Sequence, residues 1–289
     1  MHFSLKRCFH IFGSVLGLFG VVFVFIRLHA YSDQIDLTRF NLTTWLLIAI
    51  LAALYGAIGN LFLVQAWWQL LAFFEMNVQR SWALKAYGMS QIAKYVPGNV
   101  FHLAGRQALG MAVGLPGVAL AKSVFWDLAL QASTGAFFGI LATLLARTQL
   151  SVVVAVAILI TVSATATAIL YRAVAPRVGA AFASQICYLT VSSLVFVGAL
   201  NAVATSSSST AVFFPVFAAY VLAWLAGFVT PGAPAGVGVR ELVLLFLLKG
   251  MLNESDLLLA VVLGRFVTVV GDSLFFAYAY FARSKPDSA

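Results

Sequence analysis

The sequence predicts an all-α fold: a polytopic transmembrane helix bundle of about eight crossings, with two segments broken or re-entrant at Pro/Gly clusters. Three observations predict it. Of 289 residues, 63% are hydrophobic and 9% are charged, against the roughly 25% charged of an ordinary globular domain. Apolar runs of about 20 residues, the length that crosses a hydrocarbon core of about 30 Å, recur along the whole chain. Two Pro/Gly-rich stretches interrupt that pattern beside ionisable residues, around Pro97-Gly98 and from Pro231 to Gly236.

Each crossing is read from the spacing of apolar runs. The first is expected over 9–26, behind Lys6 and Arg7. That layout is shared with signal peptides, but Leu28-His29-Ala30 is a poor cleavage site, so a retained helix is expected. Further crossings are expected over 44–74, 118–146, 151–171, 183–204, 211–229, 237–248 and 257–282, the seventh of them short. Residues 1–289 thus read as a single membrane domain. Most of the 17 basic residues, Lys6, Arg7, Arg80, Lys85, Lys94 and Lys122 among them, then fall on the side of the termini. The other side holds Arg27, Arg39, Arg147 and Lys249, so the positive-inside rule predicts that both termini are cytoplasmic.

The formal charge of +8 is dispersed over short loops and forms no basic block, so it reads as a topology signal and no nucleic-acid partner is expected. Cys8 and Cys187 make no CxxC or metal-ligand spacing and read as inert. The sequence holds no nucleophile elbow, paired-carboxylate motif, metal-ligand cluster or phosphate-binding loop. No enzymatic activity, cofactor or metal is therefore expected.

The two breaks, about 81–115 and about 230–249, carry the functional reading. Unwound backbone at membrane depth must be buried in protein or line a wet cavity, because lipid satisfies no backbone group. Lys94, His102 and Arg106 accompany the first break with Pro97 and Gly98. Arg240 and Glu241 accompany the second with Pro231 and Gly232. Broken segments in separate halves point to a transport site. A helix starting after each would aim free N–H groups and its positive dipole end at an anion. Asp127, Arg265 and Asp272 lie within spans, where charge is costly and faces a bundle interior. Arg265 and Asp272 share a face of the last helix, and a contact between them needs a bridge or a third partner. These charges, with Glu241, read either as site residues or as structural ion pairs. His102 reads as a hydrogen-bonded interior residue. Gly56, Gly59, Asn60 and the small residues over 161–168 read as close-packing positions. Trp67, Trp68, Trp82 and Tyr87 read as interfacial anchors.

Two stretches carry a family resemblance. They are Lys94-Tyr95-Val96-Pro97-Gly98-Asn99-Val100 with His102 and Arg106, and Thr230-Pro231-Gly232-Ala233-Pro234-Ala235-Gly236-Val237-Gly238-Val239-Arg240-Glu241. The first is similar to the segment Y-[IVL]-P-G-x-[VI], and the second to P-x-P-G-G-x-G-x-x-E with its prolines and glycines rearranged. Over nearly its whole length the chain resembles the flippase-like transmembrane domain of lysylphosphatidylglycerol synthases, a family with stand-alone members. Nothing in it resembles their cytoplasmic synthetase domain, so aminoacyl transfer is not implied. The resemblance implies lipid translocation, or assistance to a lipid-modifying pathway; with the polar breaks, the first reading is a translocator for a lipid with an anionic or glycosylated head group. Arg106 and Arg240 would hold the head group, Lys94 would recruit it, and Glu241 would orient Arg240 or exchange a proton. A reading of a different class makes the chain a non-transporting partner of a lipid-modifying enzyme such as a glycosyltransferase.

Overall fold

A computed structural model describes residues 40–96, 100–148, 150–204 and 210–282. The first expected crossing lies outside them, as do Cys8, Pro97 and Gly98. Every regular element among the described residues is helical.

Helix α1, Leu42–Phe73, starts where the Asn41 side chain accepts a hydrogen bond from the Thr44 N–H at 2.9 Å, satisfying a donor that a helix start leaves free. Two 12-residue helices come next, α2 (Arg80–Gln91) and α3 (Phe101–Ala112). A 3₁₀ turn, Ile92–Tyr95, continues α2. Gly114, with φ +86°, closes α3. Helix α4 is Gly117–Ala146, α5 is Val152–Ala173, and α6 is Pro176–Val203 with proline in its first turn. Helix α7 is Thr210–Val229, α8 is Val239–Leu247, and α9 is Glu254–Phe281, capped by Asn253.

Among the described residues, six helices have the length and apolarity to cross a membrane: α1, α4, α5, α6, the Val212–Val229 part of α7, and α9. The chain is a multi-pass helical membrane protein. Helix α8, the expected seventh crossing, has 9 residues and rises only about 14 Å, half the hydrocarbon thickness. It packs against α7 and α9, while α2 and α3 pack against each other. Helix α6 begins before the expected 183, so Arg177 stands inside it. A proline at the helix start and a partner for the charge explain this: Arg177 donates to Gln69 Oε1 at 2.8 Å and lies 5.9 Å from the Trp68 ring.

The core lies where α1, α6, α7 and α9 meet, around Tyr55, Trp67, Phe196, Leu200 and Leu257. Large apolar side chains such as Leu42, Ile50, Phe125, Ile160, Phe246 and Phe281 point outward, as lipid-facing positions do. Helix α5 is the most outlying span. Thr161, Ala164, Thr165 and Ala168 are exposed on it, with Thr161 and Thr165 donating to carbonyls four residues back. The expectation of close helix packing over 161–168 is corrected: only Ser163 of that stretch is buried.

Gly56 does permit close approach. A Cβ there would lie 2.5 Å from the Gly271 carbonyl oxygen, and one at Gly271 would lie 2.7 Å from the Ala52 oxygen. Gly56→Ala should therefore destabilise the α1–α9 crossing by about 1–3 kcal/mol, read as a lower Tm in detergent. An unchanged Tm would mean that the two backbones can move apart at no cost.

Candidate functional site

The chemistry is built from three polar clusters around one cavity. The first is an ion pair. Arg106 on α3 donates through Nη1 to Asp127 Oδ2 on α4 at 2.8 Å, with the two side chains 2% and 1% exposed. The guanidinium lies 4.5 Å from the Tyr87 ring and 5.4 Å from the Trp67 ring, close enough for cation–π attraction. Gln185 Nε2 donates to Asp127 Oδ1 at 3.3 Å, and Thr134 donates to Gln185 Oε1 at 2.9 Å. Trp67 and Tyr87 are therefore not interfacial anchors: both are buried, because a desolvated guanidinium needs aromatic faces around it.

The second cluster surrounds Asp272, which is fully buried on α9. Asn60 Nδ2 donates to its Oδ1 at 3.0 Å, and the Tyr95 hydroxyl donates to its Oδ2 at 2.6 Å. Lys94 Nζ lies 2.7 Å from the same Oδ2. Lys94 and Tyr95 both come from the 3₁₀ turn after α2, so Asp272 ties that turn to the last helix. Asn60 reaches it from α1 directly after a π-helical turn, Tyr55–Gly59. Such a turn adds a residue to the helix and rotates the residues after it, and it is enriched at functional sites. Asn60, read from sequence as a packing residue, is thus a ligand of the buried carboxylate.

The third cluster holds two arginines at the second break. Arg265 donates through Nη1 to the Ala235 carbonyl at 3.2 Å and lies 5.6 Å from the Tyr95 ring. Tyr95 is the bridge between Arg265 and Asp272 that the helical spacing requires. Arg240 packs against Gly227 and Gly236 and lies 5.9 Å from the Trp224 ring. The turn between them, Pro234–Gly236, carries Ala235 at φ 47° and Gly236 at φ +72°. At Gly236 a Cβ would stand 2.8 Å from the Gly227 Cα, so glycine is required there on both counts. Arg240 Nε and Arg265 Nη2 are buried without a hydrogen-bond partner, as is His102 Nδ1. The sequence-based expectation that His102 is hydrogen-bonded is corrected at that atom.

Lys94, His102, Arg106, Pro231, Arg240, Arg265 and Asp272 line a single cavity of about 240 Å³ together with Tyr55, Tyr188 and Trp224. A water needs roughly 10–15 Å³ by this kind of measure, so the space admits a hydrated ligand group. Asp127 stands behind Arg106, and Gly232 is buried in the broken segment at φ +89°. Glu241 does not line the cavity. Its Oε2 accepts the Gly238 N–H at 2.6 Å, so the free helix start expected after the second break already carries its own carboxylate. No ion pair joins Glu241 to Arg240 among the described residues. Compared with known proteins, the sequence matches no family model and no curated protein.

Proposed function

We propose that the chain is a lipid translocase, flippase-like, moving a lipid with an anionic or glycosylated head group through the polar cavity while its acyl chains stay in lipid. The observation that carries this reading is a pair of arginines, Arg240 and Arg265, that line one cavity inside an apolar bundle and have no ion-pair partner among the described residues, each with a buried guanidinium N–H left unbonded. Buried donors are normally satisfied, and an unpaired buried charge costs several kcal/mol. An anionic head group in the cavity supplies the countercharge that the two arginines lack. The short helices α2, α3 and α8, with the turns at Ile92–Tyr95 and Pro234–Gly236, fit two re-entrant segments meeting at the cavity. The motif resemblance to the transmembrane domain of lysylphosphatidylglycerol synthases is in keeping with this. We propose a bacterial inner membrane, on the motif resemblance, with cytoplasmic termini, on the distribution of basic loops.

Arg240 and Arg265 are the proposed head-group ligands. Arg106 is already paired with Asp127, and Lys94 with Asp272, so these two shape the cavity wall. The test is fluorescent-lipid scrambling in proteoliposomes with anionic, glycosylated and zwitterionic head groups, for the native chain and an Arg240→Gln, Arg265→Gln variant. Head-group-selective transport should fall at least about tenfold in the variant, equivalent to roughly 1.4 kcal/mol. Absence of transport by the native chain with every lipid class would favour the reading as a non-transporting partner of a lipid-modifying enzyme. The observation on that side is the outward, small-residue face of α5, Thr161 to Ala168, which allows another helix to approach closely.

A further inference from the structure

Resting on that reading of the cavity, we infer that the group it selects is a dianionic phosphoryl group, a phosphomonoester, in preference to the monoanionic phosphodiester of common phospholipids. The basis is charge. Four cations line the cavity: Lys94, Arg106, Arg240 and Arg265. Arg106 is cancelled by Asp127 at 2.8 Å, and Lys94 by Asp272 at 2.7 Å. Arg240 and Arg265 remain, and neither has an ion pair among the described residues. Glu241 adjoins Arg240 in the chain, but it does not line the cavity, and its carboxylate is turned to the Gly238 N–H at the positive end of α8.

The two remaining cations converge on one turn. Arg265 holds the Ala235 carbonyl, and Arg240 lies against Gly236, the next residue. Like charges at one turn in a poorly solvated space repel, and neither arginine is ion-paired to a carboxylate of the described residues. Counting the cavity-lining cations and their ion-pair partners, the formal deficit is two negative charges. A phosphodiester supplies one, whereas a phosphomonoester near neutral pH supplies close to two and three strong acceptor oxygens. Arg240 Nε and Arg265 Nη2 are donors buried without a partner, and His102 Nδ1 is likewise unpartnered. A guanidinium matches such oxygens with its planar fork. Neutral sugars offer no charge to offset the pair.

Binding and transport are separate measurements, so this inference and the translocase reading can fail independently. Purified protein in nanodiscs of phosphatidylcholine would be titrated with short-chain phosphatidic acid, short-chain phosphatidylglycerol and inorganic phosphate, using intrinsic tryptophan fluorescence. The monoester lipid should bind at least about tenfold more tightly than the diester, and Arg240→Gln or Arg265→Gln should abolish the preference. The Tm of each variant, unchanged within a few degrees, serves as the folding control. Inorganic phosphate competing as well as the lipid assigns the site to free phosphate, and weaker competition assigns it to a lipid head group. Both outcomes keep the dianion. Equal affinity for monoester and diester, or a preference untouched by loss of either arginine, overturns it. Such a result with transport intact leaves the translocase reading standing, and selective binding without transport sinks that reading alone.

Discussion

Asp127→Ala should be the most destabilising single substitution in the polar interior, at about 3–5 kcal/mol. It leaves the Arg106 guanidinium 2% exposed with no counter-charge and frees Gln185 Nε2 as well. The measurement is the midpoint of unfolding in a mild detergent. The Arg106→Met, Asp127→Leu double variant should recover most of the loss, because an apolar pair of similar volume escapes the desolvation cost of both ions. This double variant also separates two roles for Arg106. Transport retained in it assigns Arg106 to structure. Transport lost with stability restored assigns Arg106 to the proposed head-group site, as the sequence-based reading expects.

Asp272→Ala should act on the cavity wall. It removes the acceptor shared by Asn60, Tyr95 and Lys94, so the Ile92–Tyr95 turn loses its tie to α9 and Lys94 becomes an unpaired, largely buried cation. Amide exchange in that turn should rise on the order of 100-fold, since about 3 kcal/mol of local anchoring corresponds to two decades. Asp272→Asn should fall between, keeping an oxygen for the Tyr95 hydroxyl while losing the charge opposite Lys94. Exchange unchanged in both variants would show that the turn is held by its own packing. If the turn forms the moving wall of a translocation path, the same variants should alter transport without changing head-group preference.

The broad fold was legible because the bilayer makes hydropathy decisive. Five of the expected crossings overlie the helices α1, α4, α5, α6 and α7, and a sixth overlies α9, with ends shifted by a few residues where caps such as Asn253 set the start. Hydropathy does not resolve the seventh, since Val239–Leu247 is apolar enough to span but too short. Charges inside spans stand out as a class by their cost in lipid, and Asp127, Arg265 and Asp272 are all at the polar clusters.

Partners were not legible. Asn60 reads as a packing residue beside two glycines until the π turn at Tyr55–Gly59 aims it at Asp272, 212 positions away in sequence. Trp67 and Tyr87 read as interface anchors because aromatic residues near helix ends usually are, yet they enclose Arg106. The helical spacing that puts Arg265 and Asp272 on one face required a third group, but only tertiary packing could bring Tyr95 between them. Composition and apolar spacing by themselves determined that this chain is a multi-pass helical membrane protein with charge in its interior. Which cation is neutralised and which is left open was decided only by the tertiary structure, because pairing depends on distances of a few ångströms between helices far apart in the chain.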